Sequence, residues 1–288
     1  MQSEEEEEGR RKKKGKQKDV IDACMANLQK EPTLSNITKS RSFIEQKSNK
    51  YNDLGEKGEL GNIPVHTKVL GGATKDDMVW LYDKKFVRDG GRIFYNKIMK
   101  IPPFSRCPFC GVRRVSTLDH YLAKTEYPTF AITPNNLVAS CADCNKKKSN
   151  LVFASREEEL FHPYYDEFDD EIWLKADVSL VVDEVLFKFY VSKPEAWMEE
   201  KYTRAKNHFE KLELNDLYTA HAAEEFTESK FSLERMYKAG GEELVRKDLR
   251  DRIEEHRSNM KNTWRAALYE GLLNCQEFFD IYLNRLGI

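Results

Sequence analysis

A chain of 288 residues is long enough for one large domain or two modest ones. Hydrophobic residues make up 40% and charged residues 33%, above the usual charged share of about 25%, so a real core is expected under a heavily charged surface. Mean hydropathy is -0.70, the richest apolar run (residues 179–191) is cut by Asp183, Glu184 and Lys188, and the Glu-rich N-terminus lacks the apolar stretch of a secretion signal; neither an integral membrane protein nor a secreted precursor is expected, nor a membrane partner, and the cysteine usage taken up below points to a cytoplasmic protein.

In chain order, residues 1–19 are expected to be a disordered charged tail. Five consecutive Glu are followed by Arg10, Arg11, Lys12, Lys13, Lys14, Lys16 and Lys18, with nothing apolar to bury after Met1. Residues 20–105 read as a helical N-terminal region. It holds a short helix from Val20 to Leu28, a Gly/Asn/Asp/Thr-rich loop over 50–75, and a helix from Asp76 to Val87 with Val79, Tyr82, Phe86 and Val87 on one face. Gly90-Gly91 breaks the pattern, Arg92 to Ile101 adds a turn or two, and Pro102-Pro103 ends the region. Residues 106–165 carry most of the chemistry. Residues 166–288 read as a β-hairpin plus a helical region. The β-branched and aromatic segments 171–182 and 185–191 flank Asp183-Glu184. Ser192-Lys-Pro-Glu195 has the form of a capping box and predicts a helix start, with Met198, Tyr202, Ala205, Phe209 and Leu212 as its core stripe. Further helices are predicted over 215–238, 242–260 and 262–286, punctuated by Gly240-Gly241. There is no internal repeat. The fold class expected is α+β, mainly helical.

The 47 basic and 49 acidic residues nearly cancel, but their placement is uneven: residues 101–156 carry eight Lys/Arg against three acids. Such a local basic patch is what a phosphate-contacting site needs. Within it, Cys107-Pro-Phe-Cys110 and Cys141-Ala-Asp-Cys144 are separated by 30 residues. Two C-x-x-C knuckles supply four thiolates, the donor set of a closed, structural Zn²⁺ site, which would pin both ends of the intervening loop. Six cysteines in all are too few for a disulfide scaffold at this length, which agrees with a reducing compartment. Asp119-His120 lies between the pairs and Asn145 follows Cys144 directly, so a zinc-closed loop would bring Asn145 near Asp119. An Asp carboxylate and an Asn carbonyl suit Mg²⁺ or Mn²⁺. His120 beside them can take a proton from water near neutral pH. Metal, base and basic rim together describe phosphodiester hydrolysis.

These motifs, paired C-x-x-C, Asp119-His120, Asn136-Leu137 and Cys144-Asn145, resemble the HNH endonucleases, whose core is a ββα-metal finger, in the version braced by a zinc ribbon. The match covers residues 107–150, some 15% of the chain. The resemblance implies that His120 is the general base, that Asp119 and Asn145 hold the catalytic divalent metal, and that Asn136 (with Asn135 as a second choice) ties down the loop and orients the His. Asn145 stands where His is common in the family. The implied topology is a first strand over 112–118 ending at Asp119-His120, a long loop over 121–136, a second strand from Leu137 to Ser140, and a helix from Cys144 to about Leu151. Lys146, Lys147 and Lys148 would then lie near the scissile phosphate, with Lys124 of similar standing. Arg113 and Arg114 would reach flanking phosphates, only one of them by alternation.

The remaining candidates read mainly as structural. His162 in Phe161-His-Pro-Tyr-Tyr165 is expected to pack on the finger, with support of the site or a DNA contact as the alternative, and Tyr164-Tyr165 to serve the core or stack on bases. His66, His208, His221 and His256 have no partners in spacing, Cys24 and Cys275 read as packed thiols, and Asp166, Asp169 and Asp170 as loop residues. The leading expectation is a DNA endonuclease of little intrinsic sequence specificity. The site chemistry does not read the 2′-hydroxyl, so RNA stays open as a substrate. The resemblance also implies a regulated effector of anti-phage defence, with an ATPase or other regulatory protein as partner. The alternative is a non-catalytic zinc-ribbon nucleic-acid-binding or scaffold subunit.

Overall fold

The computed structural model describes residues 15–182 and 184–286. The chain divides between Asp166 and Glu167 into two compact units.

In the first unit, α1 (Gln17–Met25) buries Val20, Ile21 and Cys24. It starts ahead of Val20 because Gln17 is buried and accepts a hydrogen bond from the Ser48 hydroxyl at 3.0 Å; the predicted tail up to residue 14 lies outside the described residues. The second helix, α2 (Thr33–Glu56), buries Thr33, Ile37, Ser40, Ile44, Ser48, Tyr51 and Gly55, one stripe at helical spacing. It corrects the reading of residues 50–56 as loop, since Tyr51 is fully buried and Gly55 lies against the Tyr165 ring, where a Cβ would come within 2.4 Å. The third helix, α3 (Lys75–Trp80), begins with a true capping box: Asp77 N donates to Thr74 Oγ1, and Thr74 N to Asp77 Oδ2. It continues as a π-helical turn over Leu81–Phe86. Helix α4 (Arg92–Met99) follows the Gly90-Gly91 break and packs on the small sheet described next.

Strands β1 (Thr117–His120) and β2 (Leu137–Ser140) pair antiparallel, Thr117 opposite Ser140 and His120 opposite Leu137. Helix α5 (Ala142–Lys148) follows with Cys141 at its N-cap. The second strand matches the expected bounds. The first is shorter than expected, because residues 112–116 belong to the cysteine knuckle, where Cys107 N bonds Arg113 O and Val115 N bonds Ser105 O. The helix begins two residues earlier than expected. The connection over 121–136 is not an open loop. Twelve of its sixteen residues are buried, and it makes two 3-10 turns, Pro128–Phe130 and Pro134–Asn136. The first of these packs under α2.

In the second unit, β3 (Leu174–Val181) and β4 (Glu184–Val191) form the predicted hairpin, Leu174 opposite Val191, with Asp183 outside the described residues. Phe187 and Phe189 alternate inward against the long helix described below. Ser192–Glu195 does not start a helix. A turn with Trp197 N on Pro194 O intervenes, α6 begins at Glu199 (Glu199–Lys211), and Met198 is exposed rather than in the core stripe. The two helices predicted over 215–260 are present end to end within α7 (Leu214–Arg257), and they are separated as expected at the glycine pair, where Gly241 leaves helical geometry (φ 66°, ψ -162°) in a conformation that favours glycine. The last predicted helix is shorter than read: α8 spans Trp264–Asn274, Cys275 is extended, and a π-helical turn covers Phe278–Leu283. Together the units make the chain α+β and mainly helical.

Candidate catalytic cleft and cysteine cluster

The four paired cysteines are buried and free of disulfides, with all four Sγ atoms within 4.8 Å of one another. Metal–sulfur bonds of ~2.3 Å in a tetrahedron put sulfurs about 3.8 Å apart, so the cluster can hold a metal ion such as zinc with little adjustment. Hydrogen bonds among the four thiols hold Cys110 (about 7) and Cys141 below the usual thiol range and push Cys107 and Cys144 above it, so loading a metal on all four has to release protons. Among the described residues it is the one group of three or more His, Cys, Asp or Glu side chains placed to hold a metal. The knuckles bracket β1 and β2 in sequence, so the cluster fixes both ends of the segment that carries Asp119 and His120.

A cleft of about 600 Å³ opens beside β1. It is lined by Asp119, His120 and Asn145 together with Tyr82, Lys124 and Lys146. The structure therefore brings the three chemistry-bearing residues into one cavity, although 26 positions separate Asp119 from Asn145. His120 Nε2 lies 2.8 Å from the Ala131 carbonyl oxygen. A carbonyl only accepts, so Nε2 carries the proton and Nδ1 is the basic nitrogen. Among the described residues Nδ1 has no hydrogen-bond partner. The Tyr82 ring stands edge-on to the imidazole at 4.4 Å, and its hydroxyl donates to Leu118 O at 3.4 Å. Burial drives the His120 pKa down to about 3, against the Ala131 hydrogen bond and aided by the charges of Lys124 and Lys148. The ring is therefore neutral at pH 7.

Asp119 is also buried, and burial raises it to about 6 against the attraction of Lys148. Its Oδ1 lies 3.4 Å from Lys148 Nζ, whereas its Oδ2 is buried with no hydrogen-bond partner. Lys148 is fully buried and donates to His120 O at 2.6 Å. That corrects its expected role: a buried ammonium satisfied by Asp119 and a strand carbonyl reaches no phosphate, and it instead fastens α5 to β1. Asn145 Nδ2 lies 3.4 Å from Thr117 Oγ1.

Asn136 is fully buried and saturated. Its Oδ1 accepts from Leu122 N at 2.7 Å and from the Tyr51 hydroxyl at 3.1 Å, and its Nδ2 donates to Leu122 O and Phe130 O. It thus grips both sides of the 121–136 connection next to Ala131, the residue that anchors His120. Asn135 points elsewhere, donating to Asn52 Oδ1 at 2.7 Å. His162 is packed among Tyr121, Tyr164 and Tyr165; its Nδ1 accepts from Tyr164 N, leaving Nε2 to face the Tyr51 hydroxyl at 3.4 Å. Tyr164 and Tyr165 donate to Leu137 O and Asn52 Oδ1. These three residues serve the core.

Of the other basic candidates, Lys124 pairs with Asp83 at 2.6 Å over the Tyr82 ring, and Arg113 pairs with Asp143 at 2.9 Å. Lys146 lies at the cleft and Lys147 is half-buried. Arg114 is exposed and sits opposite Arg106 in an antiparallel bridge. Tyr51, on Asn136, and Tyr82, on His120, are neighbours of the candidate site that sequence reasoning missed. Tyr82 was legible as an apolar-face residue, but nothing in its spacing marks contact with His120.

The chain is 28% identical over 287 residues to Protein ea31 of Escherichia phage lambda, an alignment covering 91% of this chain and 95% of that protein. No family model and no solved structure matches it.

Proposed function

We propose that the chain is a metal-dependent HNH endonuclease that hydrolyses DNA phosphodiester bonds, with a four-cysteine zinc ribbon as its structural brace. The observation that carries this reading is the state of His120: Nε2 is committed to the Ala131 carbonyl, and Nδ1 is left unprotonated in a cleft shared with Asp119 and Asn145. In this reading Nδ1 accepts a proton from the attacking water. The Ala131 carbonyl supports the imidazolium that results, and the negative phosphodiester entering the cleft does the same. Asp119 Oδ2, a buried carboxylate oxygen without a partner, supports a hard divalent cation such as Mg²⁺ or Mn²⁺ held by Asp119 and Asn145. Such a cation, when bound, supplies positive charge to the phosphate and to the leaving 3′ oxygen. Asn136 acts as a positioning residue through the loop that carries Ala131. Lys146 and Lys124 rim the cleft, Lys124 once released from Asp83.

Control by an ATPase or another regulatory partner, within anti-phage defence, is part of the same proposal and rests on the family resemblance. The test is plasmid cleavage by the parent and by His120→Ala, each with Mg²⁺, Mn²⁺ or chelator, and with and without any ATPase that a neighbouring gene encodes. Cleavage that requires both the cation and His120 is the expected result. A folded, metal-loaded protein that binds DNA equally well with and without His120, and cuts under no condition, makes the zinc ribbon a binding or scaffold module instead.

A further inference from the structure

Immediately before the first cysteine knuckle, the segment Pro102–Arg106 presents an aromatic ring to solvent. Phe104 is 94% exposed, the most exposed large hydrophobic side chain among the described residues. It is held there by a strained backbone, since Phe104 and Ser105 both have φ of 53°. Beside it, Arg106 and Arg114 are directly opposite in an antiparallel bridge. The bonds that flank the pair, Cys107 N to Arg113 O and Val115 N to Ser105 O, make it a non-hydrogen-bonded pair. In that geometry side chains emerge on the same face at their closest, with Cβ atoms about 4.5–5.5 Å apart. Two like charges there repel, and among the described residues neither guanidinium has an ion-pair or hydrogen-bond partner. Asp143, the nearby acid, is taken by Arg113.

We infer that Phe104, Arg106 and Arg114 form a nucleic-acid contact outside the cleft, in which adjacent phosphates bridge the two guanidiniums and a base stacks on Phe104. A polyanion relieves the repulsion that the fold leaves uncompensated, and an aromatic face accepts any base. The chemistry therefore gives grip without sequence readout. This contact deepens the nuclease reading and rests on it for the nature of the polymer, but it uses none of the cleft residues.

The test measures binding by the full-length chain, without added divalent cation, to a short DNA carrying one 2-aminopurine, over a range of salt concentrations. Arg106→Ser/Arg114→Ser is expected to lower the slope of log affinity against log salt by about 2, since each lost phosphate contact removes roughly 0.9. Phe104→Ala is expected to abolish the quenching of 2-aminopurine and weaken binding roughly ten-fold, with Phe104→Trp restoring both. All three side chains changed are exposed, and metal content checks the ribbon in each variant. Unchanged salt slope and unchanged quenching, with binding intact, overturn the inference and leave His120-dependent cleavage, scored separately, standing. Absence of binding by the parent to any nucleic acid overturns both.

Discussion

The buried ion pair between Lys148 and Asp119 offers the sharpest test of how the cleft is built. At 3.4 Å with both side chains buried, the gross attraction at an effective dielectric of 20 is about 5 kcal/mol. Removing one partner strands the other charge in the interior, which typically costs about 3–5 kcal/mol, whereas removing both often costs little. Lys148→Met also frees the His120 carbonyl from its 2.6 Å hydrogen bond, adding about 1 kcal/mol. We therefore expect Lys148→Met to destabilise the first unit by about 4 kcal/mol and Asp119→Asn by clearly less, because burial already lifts the Asp119 carboxyl to about 6 in spite of Lys148, with the double variant showing a coupling of about 2 kcal/mol or more. The assay is urea unfolding in magnesium-free buffer, followed by thiol labelling, because five of the six cysteines lie before residue 167. Additive single-variant costs, or a Lys148→Met loss below about 1 kcal/mol, would falsify the assignment of Lys148 as an internal counter-charge and return it to the substrate rim.

Asn136→Ala removes four buried hydrogen bonds and should cost about 3–5 kcal/mol, with Tyr51→Phe costing about 1–2 kcal/mol; an Asn136→Ala loss within experimental error in chemical denaturation refutes the saturated-amide picture. One metal ion per chain is expected by elemental analysis, falling to none in Cys107→Ser/Cys144→Ser, with amide protection of Leu137–Ser140 lost alongside it; retention of protection after metal removal contradicts the bracing role. Asp77 gives a pH signature. Burial alone would raise its pKa, but hydrogen bonds from Thr33, Thr74 and Asn36 outweigh it and hold it below the usual carboxylate value of 3.8. The stability it contributes is present above 3.8 and lost as pH falls through the lower folded-state value. Asp77→Asn should thus be less stable than the parent by about 1–2 kcal/mol at pH 7, and that gap should narrow in acid; a gap that widens below about pH 4 runs against the sign.

The cysteine pairs were legible because a fixed C-x-x-C interval is a local signal, and the strand Leu137–Ser140 was placed through the family resemblance that those motifs carry. The shared cleft of Asp119, His120 and Asn145 followed from the loop those cysteines close. Helix α2 was not legible. Its buried stripe has helical spacing, but Thr33, Ser40, Ser48 and Gly55 occupy it alongside the apolar residues, so hydropathy does not trace the face. Losing α2 also hid Tyr51 and, through it, the grip on Asn136. The Ser192–Glu195 pattern failed for the opposite reason: the residues fit a cap, but Pro194 is spent on a turn that brings Trp197 N to its carbonyl. Lys148 read as a rim residue because sequence shows charge and not burial.

The connection between the two strands reverses the usual relation between loops and evolutionary drift. Connections normally lie on the surface and accept changes in length. This one is mostly interior, is gripped at Leu122 and Phe130 by one amide, and carries the carbonyl that sets the histidine tautomer. A one-residue insertion anywhere between 122 and 136 would shift Ala131 against β1, so variants that keep the tautomer should hold this segment at constant length. Length changes should instead accumulate where the chain is exposed, as at Ala154 and Ser155. A library of single-residue insertions, sorted on retained fold, would trace the functional skeleton of the first unit through a connection rather than through its helices.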